Sequence, residues 1–99
     1  MPLEEEFDRE MHEIYRIGED HGYRSVIFLQ MIEKHGGVEA AKRLLATDDP
    51  QTGLFRLYDL HLLNHSMEAL VMRDRYQSLF SAEEIATART RLEELGFQG

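Results

Sequence analysis

Apolar residues recur along this chain at the spacing of α-helices, and the pattern divides into six helical segments with no strand. In the first, 3–20, Phe7, Met11, Ile14 and Tyr15 fall at i, i+4, i+7 and i+8 and form one stripe. Glu4, Glu5 and Glu6 occupy its opening turn, where the helix dipole favours negative charge, and Gly22 is the expected stop. The second, 23–35, carries Val26, Ile27, Phe28, Leu29, Met31 and Ile32 around most of its circumference, which predicts the central, most buried helix. Gly36-Gly37 ends it. The third, 38–46, turns Val38, Ala41 and Leu45 inward and pairs Glu39 with Lys42 or Arg43 on its outer side.

A loop over 47–53 follows, marked by Asp49-Pro50. The fourth segment, 54–62, aligns Leu54, Leu57, Tyr58 and His61. The fifth, 66–73, uses Met67, Leu70 and Val71, with either Asn64 or Ser66 as its N-cap. A short turn over 76–80 supplies Leu79 and Phe80 as core plugs. The last helix opens on Ser81-Ala82-Glu83-Glu84, a capping box in which Glu84 reaches back to the cap residue. Ile85, Ala88, Leu92 and Leu95 line its inner face, and Gly96 closes it. The expectation is an all-α, single-domain irregular bundle of five to six helices spanning 1–99.

Composition narrows the function classes. The net charge of −8 is concentrated early: residues 1–49 hold 12 acidic and 6 basic side chains, residues 50–99 hold 7 and 5. Such a balance repels a phosphate backbone unless a local Arg patch outweighs it. With no cysteine there are neither disulfides nor thiolate metal sites. The acidic start Met1-Pro2-Leu3-Glu4-Glu5-Glu6 is unlike a signal peptide, and no apolar run approaches the ~20 residues of a membrane span. A cytoplasmic chain without membrane contact is expected.

Candidate chemistry is sparse. His61 and His65 are four apart and would share a helical face with Asp59 or Glu68 as a third metal ligand, but a helix start at Asn64 or Ser66 breaks that face. The residues three before each histidine are Arg9, Gly18, Ile32, Tyr58 and Leu62, so the carboxylate-x-x-His step of di-iron bundles is missing. Serines 25, 66, 78 and 81 lie in no nucleophile elbow. No catalytic residue, cofactor or metal is therefore expected. Gly36-Gly37 before a helix is either a phosphate-facing turn or a glycine cap. Arg73, Arg75, Arg89 and Arg91 form one basic face if their helices are antiparallel neighbours, or else pair with the interleaved Asp74, Glu93 and Glu94. Met11, Met31, Met67 and Met72 read first as core, and methionine also suits adaptable protein interfaces.

From Ile14-Tyr15 the order continues through Gly22-Tyr23, Phe28-Leu29-Gln30-Met31, His35-Gly36-Gly37 and Ala40 to Leu45. It then runs through Gly53, Leu57-Tyr58, Ser66-Met67-Glu68-Ala69-Leu70-Val71, Leu79-Phe80, Glu83-Glu84 and Ala88-Arg89. Taken together, this resembles a small bacterial all-helical domain family of unknown function, found alone or appended to nuclease-like or defence-type proteins. The resemblance implies a compact accessory domain with no known catalytic residue. It singles out Gln30, His35, Gly36, Gly37, Glu68 and Arg89, although each also has a structural explanation. Where the family pattern has Gly-Arg-Leu-Asp, this chain has His61-Leu62-Leu63-Asn64, which implies a fourth helix about one turn longer. The expected role is a non-catalytic module for protein–protein interaction or self-association, with a homodimer foreseen. The alternatives are a nucleic-acid-associated accessory domain and a metal-binding protein using His61 and His65.

Overall fold

The first helix, α1 (Leu3–Asp20), buries Phe7 and Met11 completely, as its stripe predicts. In the computed structural model, which describes residues 2–47 and 52–97, it is followed by α2 (Val26–His35), α3 (Gly37–Leu45), α4 (Thr52–Asp59), α5 (Met67–Val71) and α6 (Ala82–Glu94). Two 3-10 turns, Leu63–His65 and Asp74–Leu79, join the later helices, and the described residues include no strand. The fold is an all-α irregular bundle. Most of the loop read over 47–53 lies outside the described residues.

The core sits where α1, α3 and α5 meet, with α2 and α6 packed on α3 and α5. Phe7, Met11, Ala40, Ala41 and Val71 are fully enclosed, and two small alanines let α3 approach α1 closely. The turn Asp74–Leu79 then plugs this core with Tyr76, whose ring meets Phe7 edge-on at 5.2 Å, while Phe80 tilts against the same ring. Tyr76 keeps a partner for its hydroxyl, which donates to Glu10 of α1. Burial and that carboxylate push the phenol up to about 12. A smaller cluster of Leu54, Leu57, Leu63 and Leu92 secures α4 against the α6 end.

Local signals explain the boundaries. Ser66, not Asn64, caps α5: its Oγ accepts from the Ala69 N–H at 3.1 Å and donates to the Leu63 carbonyl at 2.7 Å. The capping box of α6 is complete, and Glu84 also receives Lys42 of α3 at 2.8 Å. Burial raises the Glu84 carboxyl, but the Lys42 ammonium and the Ser81 backbone N–H together hold it below the ordinary range. On α3 the outer pair is Glu39 with Arg43.

Two expectations are corrected. The second helix is neither central nor the most buried: only Ile32 is enclosed, while Val26 and Ile27 are 45% and 73% exposed. It starts at Val26 because residues 23–25 are used to cross the end of α1. Nor does the fourth helix run longer; it stops at Asp59. There the Leu62 N–H bonds the Leu57 carbonyl at 2.7 Å and the His61 N–H bonds Tyr58 at 3.1 Å, a Schellman close with His61 at φ 60. The same two bonds close α1 at Gly22 and α6 at Gly96, so His61 occupies a glycine's place. A left-handed L-residue costs about 1–2 kcal/mol, and glycine's extra freedom when unfolded offsets part of the relief. His61→Gly is therefore expected to raise stability by about 0.5–1 kcal/mol in urea unfolding; unchanged or lower stability would contradict this geometry.

Candidate functional site

The turn that ends α1 also opens a cleft. Gly22 reverses the chain, and the Tyr23 N–H bonds back to the Gly18 carbonyl at 2.7 Å, laying Tyr23, Arg24 and Ser25 across the helix end. Gly18 has to be small here, since an added Cβ would stand 3.1 Å from the Tyr23 carbonyl oxygen. The first turn of α2 then projects away from the core. Between it, the end of α1 and the inner side of α4 lies a cavity of about 610 Å³. Its walls are Ile14, Tyr15, Val26, Ile27, Phe28, Leu44, Leu54, Leu57 and Met67, so they are mainly apolar. That size falls among pockets that hold ligands or partner side chains.

The charges along this cleft are already matched. At the mouth the Arg24 guanidinium donates to the Tyr15 hydroxyl at 3.4 Å and stands 3.8 Å from Glu19. Arg56 of α4 lies over the Tyr23 ring, 5.7 Å from its centroid. In the wall, Glu68 is 3% exposed, in the first turn of α5. Its carboxylate accepts from Arg91 Nη1 at 3.3 Å. The other terminal nitrogen, Nη2, donates to the carbonyls of Leu44, Leu45 and Thr47 at 3.2, 3.4 and 2.8 Å. Arg91 thus ties the carboxyl end of α3 to the start of α5. Burial pushes the Glu68 carboxyl up, against its own backbone N–H and Arg91, which favour the anion.

The singled-out residues fall in three places. Glu68 lies in the cleft wall. His35, Gly36 and Gly37 share a shallow depression with Glu4, Glu5, Asp8 and Glu39. There the Gly37 N–H donates to Asp8 Oδ1 at 2.7 Å, so α1 supplies the anion at the start of α3, and the surrounding carboxylates repel phosphate. Gln30 and Arg89 are exposed and line neither of these. Arg89 forms no ion pair among the described residues, which corrects its reading as part of a surface pair.

The four arginines do not make a basic face. Arg73 pairs with Glu10, Arg75 with Glu6 and Arg91 with Glu68, so their partners come from α1 and α5 rather than from Asp74, Glu93 or Glu94. His61 and His65 are separated by the left-handed turn, so they are not successive positions on one helix face. Among the described residues no three His, Asp or Glu side chains gather as a metal site would require. No described helix is long and apolar enough to cross a membrane.

Sequence reading placed Arg91 on a basic face or in a pair with Asp74, Glu93 or Glu94 and so missed its tie to Glu68; it also missed Asp8 and the exposure of Ile27. Arg91 had a signal: it lies three residues after Ala88 and next to Leu92, on the inner side of α6. Asp8 had none, because its partner is 29 residues away. No family model, curated protein or solved structure matches this chain.

Proposed function

We propose that this chain is a non-catalytic interaction module that receives an apolar stretch of another polypeptide in the cleft between α1, α2 and α4. The observation that carries the reading is Ile27, 73% exposed at the lip of an apolar cavity of about 610 Å³. A large aliphatic side chain left in water beside a concave apolar wall is the surface signature of a docking site. The charged groups of the lining, Arg24 and Glu68, each have a protein partner. They shape the walls and leave apolar burial as the attraction. The resemblance to accessory helical domains agrees with this role.

The test is selection of displayed helical peptides on the folded protein. Enriched sequences should carry apolar residues at helical i, i+3/i+4, i+7 spacing, and Val26→Glu should weaken their binding at least about tenfold. No enrichment, or peptides that bind the variant equally well, would remove the cleft as a docking site.

A further inference from the structure

Away from the cleft, two helices end at one depression of about 310 Å³. The carboxyl end of α4 supplies Tyr58, His61 and Asn64 to its lining, and the carboxyl end of α6 supplies Gly96 and Phe97. It shares no residue with the α1/α2/α4 cleft. His61 and Gly96 are the positive-φ residues at which the two helices close, so both helix ends border the hollow. The carbonyls of Asp59, Leu60, Glu94 and Leu95 accept no backbone N–H among the described residues, as expected at such ends. A helix carboxyl end is the negative pole of its dipole and favours a cation. No Lys or Arg side chain lines the depression to offset that polarity, and the whole chain carries −8. Anions are disfavoured here, whereas the rings of Tyr58 and Phe97 suit a positive charge.

His61 adds a separate observation. It is the one non-glycine residue with positive φ among the described residues, at a turn whose two counterparts use Gly22 and Gly96. The chain thus carries an imidazole in this lining at a cost in stability, and strain of this kind collects at ligand sites. We propose that the depression binds an organic cation, an ammonium or guanidinium group on a short alkyl stem. The two helix ends and the Tyr58 and Phe97 rings attract the charge, and His61 contributes a further ring and, when neutral, a nitrogen acceptor.

Amide NMR spectra recorded during titration with butylammonium, and separately with a blocked lysine peptide, test the inference. Signals of His61, Asn64 and Gly96 should shift to saturation. Both probes carry the same cation, and the one that saturates at lower concentration distinguishes a free amine from a polypeptide side chain; either result supports the site. Butanol, the same stem without the charge, should bind at least about fivefold more weakly. Tyr58→Leu removes a half-exposed ring and should weaken butylammonium binding about two- to fivefold. His61→Gly should weaken it at least about twofold while stability rises, so that the lost affinity is not a lost fold. Shifts that never saturate with either probe, equal affinity for butanol, or full affinity in both variants would each overturn the cation site.

Discussion

Arg91→Met is expected to lower stability by about 3–5 kcal/mol at neutral pH, the usual consequence of stranding one member of a buried ion pair. The variant leaves the Glu68 carboxylate at 3% exposure with no cation beside it, and it removes a donor shared by three backbone carbonyls. The pH dependence has a definite sign. Burial already holds the folded-state pKa of Glu68 above its ordinary value, and loss of Arg91 raises it further. A group whose folded pKa exceeds its unfolded pKa contributes stability below the unfolded value and loses it as pH rises through the folded value. The defect should therefore shrink as the solution is acidified toward the ordinary glutamate pKa of about 4.3. Glu68→Leu with Arg91→Met should recover most of the loss at neutral pH, because no charge is then buried. Urea unfolding followed by circular dichroism measures all three. An Arg91→Met defect below about 1 kcal/mol, or one that deepens on acidification, would show that the pair is solvated in solution.

Gly37→Ala should be the second large effect, and its sign is the informative part. Inside an unhindered helix this change stabilises by about 0.5–1 kcal/mol. Here the new Cβ would stand 2.7 Å from the Asp8 Cα and 3.2 Å from the Asp8 nitrogen, and backbone cannot step aside as a side chain can. Separating α1 from α3 also breaks the 2.7 Å bond from the Gly37 N–H to Asp8. Overpacking of about 1–3 kcal/mol and a lost cap of about 1 kcal/mol give an expected loss of about 2–4 kcal/mol. Asp8→Ala removes the cap together with an exposed contact to His12, without the backbone clash, and should cost about 1 kcal/mol. If Gly37→Ala were neutral or stabilising by thermal melting, the close approach of the two helices would be refuted.

Much of the architecture was legible in the sequence because its signals are local. The α1 stripe, the Ser81–Glu84 box and the Gly22 and Gly96 stops each act within a few residues, and the elements appear where those signals place them. The misplacement of α2 has a simple cause. Periodicity reports which positions avoid water, not what covers them. The apolar circumference of α2 belongs partly to the core, through Ile32, and partly to a surface cleft, through Val26 and Ile27. His61 misled for a different reason: the backbone bonds that close the turn hold a residue without glycine's freedom in glycine's conformation. Glu68 and Gly37 are singled out, as a possible metal ligand, as part of a glycine turn and through the family resemblance, but none of these names the partner that each has. Their partners Arg91 and Asp8 are 23 and 29 residues away, beyond any local pattern.

The bond from Asp8 to Gly37 also bears on the order in which the molecule assembles. With nine residues, α3 is shorter than the roughly 12–15 at which a lone helix becomes marginal in water. Its leading edge is completed by a carboxylate that the ribosome adds 29 residues earlier. The amino-terminal helix is consequently synthesised before the segment it caps, and α3, too short to persist alone, gains that carboxylate only when it packs against α1.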